Sequence, residues 1–384
     1  MNVLFVFEYG APKSGNFIPS LLELADQIRD AGGNAAFLSR KIEPERCHWV
    51  SWIRSCGYPM LTLDPNAPAL EQFQALVREY KLDIIHLNFE WSAWLLTMNA
   101  RALRPARVVF HDHMGFNNRH LYRQRLRNLY YSLRYRLNGV FLVSPNKQKA
   151  SSYALCRHWY VPNCLSFRRY TDDPRRDEGR TPGDNVWNSA PAENERRCLL
   201  LGWHPRFKGL DVAMKAADIL RRRGIDLRLC VIGYQNGMSK EKQQFLETRT
   251  GLSVHSDFIS YLKSEEDMFA VYRGMDVFLS ASRVEAFSYA LLEAISQNVP
   301  VVVSDIPGTK WAASYTKSFF YPVEDAEKCA DAIEKAIAVR REPSNAAEIV
   351  ANYSIDKWTA TMIDIFQKGC ICRKQRKNGI GSGG

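Results

Sequence analysis

No apolar run in this 384-residue sequence approaches the ~20 residues that a membrane-crossing helix needs. The apolar opening, Met1 to Phe7, is short and Glu8 ends it, so no secretory leader is expected. Nine cysteines are scattered without metal-ligand spacing, and Cys370 and Cys372 stand too close together for an ordinary disulfide. Reduced thiols in a cytoplasmic protein are the expectation. A convincing Asp-x-Asp metal pair is also lacking, since Asp172 and Asp173 are adjacent. No recognisable nucleic-acid motif is present. Neither a metal, a cofactor nor a nucleic-acid partner is therefore expected.

What is present is an ordinary globular composition, 46% hydrophobic and 24% charged, in a chain long enough for two domains. The formal net charge of +11 favours an anionic partner, such as a nucleotide or a membrane surface. Much of it is concentrated. Residues 119–136 (RHLYRQRLRNLYYSLRYR) carry six arginines and no acidic residue. Tyr122, Tyr130, Tyr131 and Tyr135 interleave them, and Leu121, Leu126, Leu129 and Leu133 fit one helical face. A basic amphipathic helix can lie on anionic lipid, so 119–136 is the expected contact with the inner face of a membrane. A solvated basic face is the plain alternative.

Strands and helices alternate along the chain, which points to α/β architecture. Residues 2–7, 34–38, 83–87, 107–110 and 140–144 read as buried strands, with helices near 19–31, 71–80 and 91–103. The stretch 47–58 alternates poorly and receives no assignment. From Thr171 to Glu195 the composition shifts to Pro, Gly, Asp, Asn and Arg, as in a flexible segment. Strands resume at 197–202, 227–233, 254–261, 277–279 and 301–303, with helices near 210–222, 265–275, 288–295 and 324–339. The expected layout is a first doubly wound domain over 1–165, a linker or insertion over 166–196, and a second domain over 197–354. An amphipathic segment, 355–372, and a disordered tail, 373–384, follow.

Two carboxylates stand out in residues 282–305, SRVEAFSYALLEAISQNVPVVVSD. Glu285 lies in a strand-to-helix turn. Glu293 lies eight positions later, inside a helix that Asn298 and Pro300 end. A carboxylate accepts two or more hydrogen bonds, which suits it to vicinal hydroxyls. The carboxyl ends of parallel strands are where such sheets bind ligands. His111 follows the strand 107–110 at such an end, and His113 takes its place if that strand runs two residues further. Gly15, ahead of a helix, leaves backbone N–H groups open to an anion or to sugar oxygens. Two solvated glutamates on a helix surface are the plain alternative for the pair.

The stretch 282–305 resembles the Glu-seven residues-Glu signature of retaining nucleotide-sugar glycosyltransferases of the GT-B fold, family 4 in particular. Ser282, Glu285, Phe287, Leu291, Leu292, Glu293, Ala294, Pro300, Val301 and Val302 match, while Ala286 and Asn298 stand where the family usually has glycine. Residues 160–163 (YVPN) are similar to the family's exit from the first domain, with Cys164 in place of Gly. Residues 203–209 (WHPRFKG) are similar to its Gly-Arg, variable, Lys-Gly segment. Trp203 occupies the Arg position there, which leaves Arg206 to supply the second cation.

The resemblance implies two Rossmann-like domains facing a central cleft, with the last helix returning to the first. It implies that Glu293 holds the ribose hydroxyls and Glu285 orients the donor sugar. Lys208, with Arg206, would stabilise the leaving diphosphate, and His111 (His113 as runner-up) would sit beside the sugar. Gly15, Gly233, Phe287, Ser288, Ile259 and Tyr261 complete the implied donor site. The implied activity is retaining, metal-independent transfer of a hexose-type sugar from a nucleoside diphosphate sugar, uridine first and guanosine next. The acceptor would be a hydroxyl of a lipid-linked or growing surface polysaccharide or oligosaccharide. No enzyme nucleophile stands out, so a front-face displacement is expected. A GT-B sugar-nucleotide epimerase is the alternative among enzymes. A non-catalytic protein using its arginine-rich helix on nucleic acid or membrane is the alternative outside them.

Overall fold

The computed structural model describes residues 1–9, 14–39, 47–89, 93–115, 121–168, 194–202, 204–234, 237–262, 268–340 and 342–377. The chain divides into two units, Met1–Thr171 with Tyr353–Gly384, and Asp172–Asn352. Most of the expected linker (169–193), Trp203, the turn residues 235–236, and residues 378–384 lie outside the described residues.

The first unit runs β1 (Asn2–Phe7), α1 (Phe17–Asp30), β2 (Asn34–Leu38), α2 (His48–Ser55), β3 (Met60–Leu61), α3 (Ala69–Glu79), β4 (Ile84–Asn88), α4 (Ala93–Met98), β5 (Arg107–His111), α5 (Leu121–Asn138), β6 (Phe141–Ser144), α6 (Lys147–Ser152) and β7 (His158–Tyr160). Its strands are parallel, in the order β3-β2-β1-β4-β5-β6-β7. The apolar runs of β1, β4 and β5 are buried almost throughout, as strands covered on both faces require. Phe7 pairs with Asn88 and Asn88 with His111, so the carboxyl ends of β1, β4 and β5 finish level.

The second unit runs β8 (Arg196–Leu201), α7 (Pro205–Lys208), α8 (Leu210–Arg222), β9 (Leu227–Ile232), α9 (Lys240–Thr250), β10 (Ile259–Leu262), α10 (Met268–Arg273), β11 (Val277–Ser280), α11 (Tyr289–Ser296), β12 (Val301–Ser304), β13 (Ser318–Tyr321), α12 (Ala326–Ala338) and α13 (Ala346–Asn352). The order β10-β9-β8-β11-β12-β13, all parallel, repeats the winding of the first sheet. Its core joins Leu200, Leu229, Val231, Leu279 and Val302 of the sheet to Leu210, Met214 and Leu220 of α8 and Ile333 of α12. α14 (Ile355–Lys377) belongs to the first unit and packs on α1 and β5.

The unassigned stretch 47–58 is largely α2. Trp49, Val50, Trp52 and Ile53 are buried, a spacing that follows the helix period and not that of a strand. The expected strand 254–261 begins only at Ile259, because two turns precede it: Ser256 N–H donates to the Ser253 carbonyl, and Ile259 N–H donates to the Ser256 carbonyl. The helix expected over 91–103 is α4 followed by a 3-10 turn at Ala100–Leu103. α14 continues to Lys377, into the stretch expected to be a disordered tail. α9 has no sequence signature, because only Leu246 of its KEKQQFLETRT sequence is buried, which leaves no apolar stripe.

Candidate functional site

In the second sheet β8 and β11 are neighbours, and the chain winds away from them in opposite directions. Such a switch point opens a crevice at the carboxyl ends of the strands. The one-turn helix α7 that follows β8 carries Lys208, and the loop after β11 carries Glu285. Pro205 opens the single turn of α7, and Gly209, in the left-handed region at φ 67°, ends it. A Cβ on Gly209 would collide with the Ala281 carbonyl oxygen. One on Gly308 would collide with the Glu285 carbonyl oxygen. The 281–286 loop is thus held between two glycine contacts. Lys208 Nζ donates to Glu285 Oε2 across 2.7 Å, with both side chains partly exposed. A cation and a carboxylate therefore stand together, within reach of solvent, at the switch point.

The other expected donor contacts divide. Ser288 caps α11, its Oγ accepting from the Leu291 N–H at 3.3 Å. Glu293 is buried, and its Oε2 accepts from the Tyr272 hydroxyl at 2.8 Å. Phe287, expected against the donor, is buried and stacks on Trp311, ring centroids 4.4 Å apart. It anchors the loop by packing. Ile259 is likewise a core residue. The Tyr261 hydroxyl donates to the Val254 carbonyl at 3.0 Å. Gly233 follows β9 at φ 129°. The exposed Arg206 turns its guanidinium over the Phe245 ring, 4.7 Å from the centroid, whereas Lys208 faces Glu285.

In the first unit β1 and β4 form the corresponding switch point. Gly15 (φ 54°) follows β1, and Phe89 follows β4 with φ 65°, an uncommon conformation for a bulky residue. His111 ends β5 and is buried, stacked between His86 (5.6 Å) and His113 (4.0 Å). His113 is the more accessible of the two candidates, and its Nε2 lies 3.0 Å from Asn88 Oδ1. His111, the expected contact, is thus covered, and the runner-up His113 is partly exposed. Burial lowers the His86 pKa to about 3 and that of His113 to about 4, and it pushes His111 well below the usual range. Asp112, between the two histidines, points elsewhere. It pairs with buried Lys149 at 2.7 Å and accepts from the Tyr153 hydroxyl at 3.0 Å.

Tyr272, Trp311 and Asn88 carried no sequence signal, because each acts through a neighbour distant in the chain. Among the described residues no group of three or more His, Cys, Asp or Glu side chains is arranged to hold a metal ion. No described helix is long and apolar enough to cross a membrane.

Two family models match, Glycosyltransferase Family 4 over residues 20–149 and Glycosyl transferases group 1 over residues 184–353. The chain belongs to the group 1 glycosyltransferases. The group 1 match contains Lys208, Glu285 and Glu293, and the family 4 match contains His111 and His113. A D-inositol 3-phosphate glycosyltransferase of Pseudarthrobacter chlorophenolicus is 30% identical over 195 residues, 49% of this chain and 43% of the relative. The match thus spans less than half of that relative's length. The HepE protein of Anabaena, solved with UDP-glucose, superposes with a TM-score of 0.72 at 15% identity, covering 96% of this chain and all (100%) of that one. A glycosyltransferase from Rickettsia africae superposes at 0.71 and 16% identity, covering 96% and 98%. These neighbours share the GT-B fold of two Rossmann-like domains with this chain.

Proposed function

We propose that this group 1 glycosyltransferase moves a hexose-type sugar from a nucleoside diphosphate sugar to an acceptor hydroxyl, with retention at the anomeric carbon and without a metal ion. The observation that carries this is the Lys208–Glu285 pair at the switch point of the second sheet. As the bond from the anomeric carbon to the diphosphate oxygen breaks, its electrons leave with the diphosphate, and a fixed lysine stabilises that charge. The acceptor oxygen bonds to the anomeric carbon from the same face, and its proton passes to the departing diphosphate oxygen. Glu285 accepts hydrogen bonds from the sugar, and Glu293 accepts them from the ribose hydroxyls. The placement of His111, or of the runner-up His113, beside the sugar rests on the family resemblance alone. HepE, solved with UDP-glucose, supports uridine as the first base to try and guanosine as the next.

The acceptor proposed is lipid-linked, reached by α5 at the inner face of a membrane. Tyr122, Leu126, Leu129, Tyr130, Leu133 and Leu137 of α5 are 41–74% exposed, while Asn128, Ser132 and Tyr135 are buried. At 100° per residue the exposed apolar side chains form a stripe about 100° wide. Exposed Arg123, Arg127 and Arg134 flank it on one side, Arg125 and Arg136 on the other. That is the layout of a helix lying in a lipid interface.

Calorimetric titration of UDP, GDP and ADP, with chelator present, tests the donor site. Binding of one base that weakens at least tenfold in Lys208→Ala is expected. Failure of all three to bind overturns the proposal. Release of free UDP from UDP-glucose that rises when a lipid-linked acceptor is added separates transfer from epimerisation.

A further inference from the structure

Arg283 lies two residues before Glu285 and bonds to the turn that carries Lys208. Its backbone N–H donates to the Phe207 carbonyl at 2.8 Å, and its Nη1 donates to the Arg206 carbonyl at 2.6 Å. These are carbonyls of the one-turn helix α7, which cannot satisfy them internally. The same guanidinium grips Asp211, in the first turn of α8, through Nη1 to Oδ1 at 3.0 Å and Nη2 to Oδ2 at 2.8 Å. Its Nε donates to Glu324 Oε1 at 2.8 Å. Asp211 is almost fully buried and is also held by Arg249 Nε at 2.6 Å. One planar fork therefore joins four segments: the Glu285 loop, the Lys208 turn, the start of α8, and the loop between β13 and α12.

We propose that Arg283 is a positioning residue, which sets the separation of Lys208 and Glu285 so that a donor diphosphate meets the lysine already aimed. This rests on the donor-site reading above. Arg283 touches neither the sugar nor the phosphate. Its effect passes through the backbone of residues 206 and 207. A lysine at position 283 keeps the charge but has no fork, so it cannot hold Asp211 by two parallel bonds and also reach Glu324 and the Arg206 carbonyl. With the turn released, Lys208 Nζ is no longer fixed, and misplacement by about 1 Å can cost a factor on the order of a hundred in rate.

The test reads the ratio of UDP to UMP affinity by calorimetry, together with kcat and KM for UDP release from UDP-glucose, each well below the variant's melting temperature. UMP lacks the terminal phosphate, so the ratio reports the contact with Lys208, and a general loosening of the fold weakens both ligands alike. Wild type is expected to prefer UDP at least tenfold. Arg283→Lys should bring the ratio near unity and lower kcat at least tenfold, with KM changing less. Adding Arg283→Lys to Lys208→Ala should produce no further loss in the ratio, because the two changes remove one contact. If Arg283→Lys does not fold, Glu324→Gln, which leaves the grip on Asp211 and on the Arg206 carbonyl, should lower kcat and the ratio two- to threefold. An unchanged ratio in a folded variant, with wild-type turnover, overturns the positioning role alone. Wild-type protein that neither binds UDP nor releases it overturns both this role and the donor-site reading.

Discussion

The Tyr272 hydroxyl, wholly buried, donates to Glu293 Oε2 at 2.8 Å, so the carboxylate proposed to meet the ribose is held from behind by a tyrosine of the preceding helix. Removing the carboxylate altogether would orphan a buried hydroxyl, at a cost of about 1–3 kcal/mol. Glu293→Ala should therefore melt below wild type even without nucleotide. Glu293→Gln retains an acceptor for Tyr272 and should unfold within about 1 kcal/mol of wild type. UDP at 100 times its dissociation constant adds about 2.7 kcal/mol to the stability of a binding protein. In a thermal-shift experiment that gain should be present in wild type and absent in Glu293→Gln. An equal gain in both would remove Glu293 from the ribose site.

Gly209 and Gly224 both lie in the left-handed region, at φ 67° and 85°. Alanine pays a conformational penalty of about 1–2 kcal/mol at either. Only Gly209 also abuts a carbonyl, that of Ala281, whereas a Cβ on Gly224 meets nothing within 4 Å. Crowding adds about 1–3 kcal/mol where the neighbour is backbone. Urea denaturation should therefore find Gly209→Ala clearly less stable than Gly224→Ala. Equal losses would mean that the 281–286 loop yields, and that the glycine does not hold it.

The three neighbouring histidines of the first unit, His86, His111 and His113, make acid tolerance measurable. Burial lowers their folded pKa values from 6.5, to about 3 for His86 and about 4 for His113. The unfolded chain takes up protons near pH 6.5 while the folded chain does not. Stability from these groups is therefore complete above pH 6.5 and is lost as pH falls towards the folded values, at up to about 1.4 kcal/mol per histidine per pH unit. Urea midpoints between pH 6.5 and 4.5 should fall with acidification. His86→Phe, whose ring would join Phe5 and Phe366, should flatten the slope by about one proton. An unaltered slope would show that His86 already takes up its proton in the folded protein.

The stripe on α5 has two components that vesicles can separate. Binding to vesicles with anionic lipid should exceed binding to neutral ones and should weaken with salt. Arg123, Arg125 and Arg127 changed to Gln should each cost about fivefold at low salt, an interfacial arginine being worth about 1 kcal/mol. Leu126→Ser with Leu133→Ser should weaken binding at every salt concentration. All five side chains are exposed, so the fold should not respond. Dimerisation that is lost in the leucine variant, without vesicle binding in wild type, would assign the stripe to a second copy of the chain.

The sheet strands were largely legible because a buried parallel strand is a run of Val, Ile, Leu and Phe, and that composition is local. β1 and β2 fall where the runs 2–7 and 34–38 place them. The two-residue β3 and the edge strand β7 were not, being short and only partly buried. Of the candidate site, the motif spacing marked Lys208, Glu285 and Glu293, and the structure pairs the first two and sets the third against Tyr272. It could not show that the Phe287 ring is buried against Trp311, because an aromatic beside a site looks the same in a packed or an open position. Nor could it separate His111 from His113, which differ only in what covers them.

The sequence by itself determined the periodicities, the Glu-seven residues-Glu spacing, and the presence of an apolar face on an arginine-rich helix. The tertiary structure decided what each of those faces meets. Lys208 finds Glu285 across 77 positions, and Arg283 finds Asp211 across 72, because the sheet order sets β8 beside β11. α5 turns Asn128, Ser132 and Tyr135 inward and leaves its leucines outside. Local pattern fixes which residues share a face, since it follows from the turn of the backbone. Which face is covered follows from the packing of elements far apart in the chain, and no local pattern carries that.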